Sequence, residues 1–318
     1  MNHAIRTSIL SAASVALFQL VGCSGPAEPV RIPAGEGFLV TTGDATGRMQ
    51  VSVVSEDGSG RRQLTTATGH SWEAAWSPDG HRIAFLSTRG GNWIGLYVMN
   101  ADGTRARLIS DSAIASVAGP PGWSPDGTRL VYACGVRGQY GPSLCSITVA
   151  GSSHKVLLPA NWRADAADWS PDGRRIAFSG TAPGDGYLHL YTVSADSGAP
   201  VLLSFAKNNI DERSPAWSPD GDKIAFASRR VRNGFPVSLP SVFVMDVGGT
   251  NRRELLPAFP INQANENPIW SPDGTRIAYS ISASTAAETG VYTVKLDGSD
   301  IRLVLPAAGA TSWIRQHR

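Results

Sequence analysis

From residue 37 onward the chain alternates short apolar runs with polar stretches rich in Gly, Pro, Asp and Ser. The runs recur in register. The triplets Ile83-Ala84-Phe85, Leu130-Val131-Tyr132, Ile176-Ala177-Phe178, Ile224-Ala225-Phe226 and Ile277-Ala278-Tyr279 each follow Trp-Ser-Pro-Asp-Gly, one variable residue and one basic residue. The pentapeptide begins at Trp76, Trp123, Trp169, Trp217 and Trp270, at spacings of 47, 46, 48 and 53 residues. A loop of variable length comes next, then a strand such as Leu96–Met99, Leu190–Val193 or Val291–Val294. A turn (Asp102-Gly103, Gly248-Gly249, Asp297-Gly298) leads into a fourth short strand such as Ala106–Ile109 or Ile301–Val304. Period-2 patterning marks these runs as strands. Pro and Gly at the second and fourth positions of Ser-Pro-Asp-Gly suit a type I turn, and Asp-Gly suits a hairpin. Four short antiparallel strands in a repeat of this length form one blade of a β-propeller.

The ends of the array complete the count. Residues 37–66 supply three strands with no leading pentapeptide, at Gly37–Val40, Gln50–Val54 and Arg62–Thr65. Ala310-Thr311-Ser312-Trp313-Ile314 supplies one lone strand, with Trp313 placed 43 residues after Trp270, where a sixth Trp is due. The fold class expected is therefore all-β: a six-bladed propeller over 37–318, with four-stranded blades and the first blade closed by the C-terminal strand. Closure removes the open ends of the array.

The segment before the repeats has a different character. Residues 1–22 carry one charged residue, Arg6, ahead of an apolar and small-residue run from Ile9 to Val21. This reads as an export signal. Leu20-Val21-Gly22-Cys23 resembles the bacterial lipobox, which implies cleavage before Cys23 and lipid on that cysteine. Ser24 in the following position implies, for a Gram-negative lipoprotein, the periplasmic face of the outer membrane; in a Gram-positive envelope the anchor would lie in the cell membrane. Residues 23–36 then form the lipidated Cys and a Pro-rich tether.

Composition narrows the function classes. With 42% hydrophobic residues the chain is not disordered. A net charge of +2 argues against nucleic acid as the main partner. Three cysteines are too few for a disulfide-built scaffold. Cys23 is assigned to lipid, and Cys134 and Cys145 flank a loop joining two neighbouring strands, so a disulfide between them is expected. Nine Trp and the Gly and Pro excess are accounted for by interblade packing and turns.

Trp-Ser-Pro-Asp-Gly-x-Arg-Ile-Ala-Phe and Leu-Tyr-Val-Met-Asn-Ala-Asp-Gly-Thr resemble the propeller repeat of the TolB family, over about residues 37–314. The resemblance implies a periplasmic binding propeller whose partner is a peptidoglycan-associated lipoprotein. Here only a short tether precedes the blades, whereas TolB carries an α/β domain there.

The recurrent residues read as architecture. The basic residues Arg82, Arg129, Arg175, Lys223 and Arg276, each three residues after a turn carboxylate (Asp79, Asp126, Asp172, Asp220, Asp273), are expected to make local ion pairs or hydrogen bonds across the turn; the alternative is a basic ring that binds an anionic partner on that face. Binding is expected on the opposite rim, which carries the variable loops and the links between blades. Candidates near the channel there are His70, Trp72, Glu73, Trp162, Arg163, Asp165, Asp211, Glu212, Arg213, Asn265 and Glu266. More peripheral are Trp93, Tyr140, Tyr187, Arg229, Arg230, Arg232 and Phe235. Asp165 and Asp168 with Asp211 and Glu212 offer a cation site as an alternative to ordered turns. The six histidines lack close metal-ligand spacing, and no Gly-x-Ser-x-Gly elbow or phosphate loop is present. No cofactor and no catalytic group is expected. The reading is a monomeric, envelope-anchored scaffold for a protein or peptide. The alternatives are a carbohydrate or small ligand at the channel mouth, and a metal-dependent lyase or hydrolase.

Overall fold

A computed structural model describes residues 37–66, 68–91, 93–110, 117–136, 138, 141–204, 209–232, 235–256, 263–283, 288–306 and 309–313. The export signal, Cys23, the tether and Tyr140 lie outside these. No helix among the described residues is long and apolar enough to cross a membrane.

The described chain is a six-bladed propeller of antiparallel sheets. Blade 2 illustrates the unit: Ser71–Trp76 lies innermost, followed outward by Arg82–Ser87, Gly95–Asn100 and Arg107–Leu108. Blades 3, 4 and 6 repeat this order, and blade 5 adds a short fifth strand, Phe235–Pro236, paired with an elongated second strand, Lys223–Arg232. Blade 1 is composite. Its innermost strand is Gly309–Trp313, which pairs antiparallel with Gly37–Gly43 in the register Phe38 to Trp313 and Leu39 to Ser312.

The core lies between blades. Leu39 and Val51 of blade 1 pack with Trp76, Ile83, Phe85 and Met99 of blade 2, and the same pairing of neighbours recurs around the ring. This explains a departure from simple alternation. In the second strand of blade 2, Ile83, Ala84, Phe85 and Leu86 are all buried. A blade has a neighbour on each face, so both sides of its middle strands leave water.

Each Ser-Pro-Asp-Gly turn is a hydrogen-bonded knot. The Ser77 hydroxyl donates to Asp79 and accepts from the Arg82 amide, and the Asp79 carboxylate accepts from the amide of His81. The arrangement recurs at Ser124, Ser170, Ser218 and Ser271. Hydrogen bonds from these hydroxyls hold Asp126, Asp172 and Asp220 below their ordinary range. The closing residue is left-handed every time, φ being +68° at Gly80 and +80° at Gly221, which is why the motif ends in Gly.

The repeated basic residues hydrogen-bond across the turn through their amides, each to the turn Ser hydroxyl, but their charged groups mostly go elsewhere. Arg82 alone of the five lies within ion-pair distance of its own turn carboxylate, 3.6 Å from Asp79. Arg129, Lys223 and Arg276 pair instead with Asp196, Asp246 and Asp300 in turns between third and fourth strands. Arg82, Arg129 and Arg175 lie over the indoles of Trp123, Trp169 and Trp217 in the next blade, 4.7–5.2 Å from the ring centroids. The turn carboxylate is already occupied by hydroxyl and amide donors, so the guanidinium turns to the neighbouring π-face. The outermost strands add a second stitch. Arg62, Arg107, Lys155 and Arg253 each donate to a backbone carbonyl of the next blade, at Asp102, Val149, Asp196 and Leu296.

Candidate functional site

The innermost strands surround a channel, and each of the five pentapeptide blades breaks register there. The shifts fall between Trp72 and Ala75, Ala118 and Gly122, Ala164 and Ala166, Arg213 and Ala216, and Glu266 and Ile269. These are β-bulges, which re-aim side chains and commonly border binding sites. At three of them a non-glycine residue takes a left-handed backbone: Glu73 at φ 48°, Ser214 at 51° and Asn267 at 54°. In blade 3 the position falls to Gly119, at φ +70°, where a Cβ would lie 2.1 Å from the Asp165 carbonyl oxygen. Pro120, Pro121, Pro215 and Pro268 were the available signal in the sequence, since Pro inside an inner strand marks a bulge.

The bulges line a cavity of about 230 Å³ running from Glu73, Ser214 and Asn267 down to the six indoles Trp76, Trp123, Trp169, Trp217, Trp270 and Trp313. At the rim opposite the Ser-Pro-Asp-Gly turns the wall is polar, with Glu73, Asp165, Asp211, Arg213, Ser214, Arg229, Glu266 and Asn267. Arg213 bridges two blades: its Nη1 lies 3.2 Å from Asp165 Oδ2 and its Nη2 lies 3.7 Å from Asp211 Oδ2. Arg229 closes on the same Asp211 oxygen at 3.1 Å, and Asp211 Oδ1 accepts the Leu188 amide. Ser214 donates to Asn267 across the blade 5–6 boundary at 2.9 Å.

Glu73 differs from its neighbours. Its Oε2 is buried and has no hydrogen-bond partner among the described residues. Burial, helped by the charge of Asp165, raises its carboxyl from 4.5 to about 7. A carboxyl whose pKa is raised on folding costs stability as pH rises from the unfolded value through the folded one. We therefore expect the wild type to lose up to roughly 3 kcal/mol from this group between pH 4.5 and 7.5. Glu73→Gln should melt higher than wild type at pH 8 and equal to it at pH 4; equal melting curves at both would refute the raised value.

Of the residues singled out in the sequence, the fold brings Glu73, Asp165, Asp211, Arg213 and Glu266 together at this mouth. The others serve elsewhere. Glu212 follows Asp211 but points between blades 4 and 5, fully buried, with Arg252 at 3.1 Å. Burial raises its carboxyl. Strand alternation sends neighbouring side chains to opposite faces, so it cannot share a cation with Asp211 at the mouth. Asp168 accepts the Trp217 amide at 2.8 Å in the channel wall. Trp162 packs edge-on against Tyr191 at 4.9 Å, and Trp72 packs on the core between blades 2 and 3. His70 accepts the Met49 amide through Nδ1. Arg163 is exposed at the start of its strand, and Asn265 pairs with Ile281 through the backbone. Arg229, expected at the periphery, belongs to the mouth, while Ser214 and Asn267 were not expected at all.

The described histidines do not form a ligand set. His189 is paired with Asp185 at 3.2 Å. His154 lies beside Cys134 and Cys145, whose sulfurs are bonded to one another and so do not serve as ligands.

A chain from Agrobacterium fabrum is 29% identical over 204 residues, covering 64% of this protein and 67% of the relative. Dipeptidyl-peptidase 5 of Porphyromonas gingivalis is 28% identical across 83% of this protein, which spans only 44% of that enzyme's length. Among solved structures, TolB from Acinetobacter baumannii superposes with a TM-score of 0.69 at 20% identity, covering 89% of this chain and 67% of TolB. The model of the TolB beta propeller domain matches residues 93–308. The chain belongs to the TolB beta-propeller domain family.

Proposed function

We propose that this protein is a cell-envelope scaffold, held to a membrane through lipid on Cys23, that binds a protein or peptide partner at the polar mouth of its channel. The observation that carries the reading is the charge of that mouth: four carboxylates, Glu73, Asp165, Asp211 and Glu266, face two guanidiniums, Arg213 and Arg229. The arginines are engaged with Asp165 and Asp211, which leaves Glu266 and the half-protonated Glu73 without a cation among the described residues, and a positive charge brought by a partner draws Glu73 to its ionised form. A partner presenting a lysine, an arginine or a free amino terminus supplies the missing charge. The side chains sit on bulged strands of a closed ring, which fixes them before a partner arrives and lowers the ordering cost of binding.

Among the described residues the mouth lining includes no aromatic side chain, and Trp72 and Trp162 are committed to packing. The six indoles line the channel beyond this charged rim, so a sugar ring at the rim meets no described aromatic platform, and the protein reading is preferred. The same holds against a metal-dependent lyase or hydrolase, since the described histidines are dispersed.

Photo-crosslinking tests the proposal. A photoreactive residue in place of Ser214 in the full chain, expressed in its own envelope, should give one dominant protein adduct. Glu266→Lys, which reverses the charge of an unpaired carboxylate at the mouth, should cut the yield at least tenfold. Trp72→Ala should do so only in proportion to lost fold. Adducts that persist in Glu266→Lys would place the partner elsewhere.

A further inference from the structure

Blade 5 differs from the others by a hairpin on the variable face. Its second strand runs on to Arg232, and Phe235–Pro236 folds back on it with Val231 opposite Pro236 and Arg232 opposite Phe235. The Val237 amide donates to the Arg230 carbonyl, which continues the register by one pair. Residues directly opposite in an antiparallel pair share a face. Arg230, Arg232, Phe235 and Val237 therefore stand together on one face, and Val231, which is buried, points the other way. That outer face is open to water: Phe235 is 74% exposed and Val237 58%, and Leu239, two residues on, is also exposed. Neither Arg230 nor Arg232 has an ion-pair partner among the described residues. Between Lys223 and Asp246 the sequence contains no acidic residue.

We infer that this hairpin is a membrane-surface contact, with Phe235, Val237 and Leu239 entering the interface of an anionic bilayer while Arg230 and Arg232 engage lipid phosphates. Large exposed apolar side chains beside guanidiniums without an ion pair match a surface that is apolar within and anionic at its headgroups. A strand-adding peptide fits less well. Val237 turns its amide inward, so the outward-facing position next to it is Pro236, which has no N–H to offer along the free edge. The five residues also lie outside the lining of the channel mouth, so the contact leaves that site open.

The test uses residues 24–318, which contain the whole closed ring but neither the apolar leader nor Cys23. Vesicles of phosphatidylcholine with phosphatidylglycerol should sediment this protein, and vesicles of phosphatidylcholine alone should not. Each arginine near an anionic surface is worth roughly fivefold in partitioning. The double change Arg230→Gln with Arg232→Gln should weaken binding about twentyfold, as should raising the salt. Phe235→Ser with Val237→Ser should weaken it at least tenfold while the melting temperature stays put, because both side chains are exposed. Failure to sediment with the anionic vesicles overturns the inference. So does sedimentation that both double variants leave unchanged, and so does binding to polyglutamate without binding to the vesicles, which would point to an acidic protein partner.

Discussion

Deleting residues 309–318 is expected to abolish cooperative unfolding of the propeller. The lost strand is the inner wall of blade 1, and its removal bares an edge of Gly37–Gly43, where Phe38, Leu39 and Val40 are wholly buried. Trp313 is the anchor. It is 6% exposed, lies 4.6 Å from the Phe38 ring and lines the channel with the five repeat tryptophans. Trp313→Ala alone should cost about 3–5 kcal/mol, a fall in Tm on the order of 10 °C for a chain of this size. Trp313→Phe should recover part of it. A deletion variant with the melting curve of the intact protein would show that the ring does not depend on its last strand.

The Cys134–Cys145 bridge should have the next largest effect. It joins the second and third strands of blade 3, with Cα atoms 5.8 Å apart and both residues fully buried. The cysteines are 11 residues apart. Closing a loop of that size stabilises by about 3 kcal/mol in the chain-entropy account. The double change Cys134→Ala with Cys145→Ala should thus lower Tm by roughly 6–9 °C without altering the mouth, whose charged residues lie in blades 2, 4, 5 and 6. Thiol labelling of residues 24–318, denatured but not reduced, should find no free sulfhydryl; two reactive thiols would mean the pair is open.

Much of the site was legible only as a set of suspects. Asp211 and Glu212 are adjacent and chemically alike, and composition cannot rank them. The strand directs one to the mouth and the other to Arg252 between blades. Trp72 and Trp162 looked like binding anchors because aromatic residues often are, yet their rings complete hydrophobic clusters. Conversely Ser214 and Asn267 are ordinary residues whose importance comes from a left-handed bulge, a property of backbone geometry foreshadowed only by the prolines that follow them. Arg229 reaches the mouth because strand register sets it directly opposite Asp211, whose carboxylate it binds, and that register runs through a bulge no spacing in the sequence announces.

The sequence by itself determined the architecture: the repeat, the number of blades, the turn chemistry and the closing of the first blade by the last strand. These are local or periodic properties, set by residue types at fixed offsets and repeated often enough to be unambiguous. The tertiary structure alone decided which carboxylates meet at the channel, which basic residues stack on the next blade's indole, and which hairpin face is left to water. Those outcomes depend on contacts between blades tens of residues apart, where strand alternation, bulges and the competition for each hydrogen-bond acceptor choose among chemically equivalent side chains.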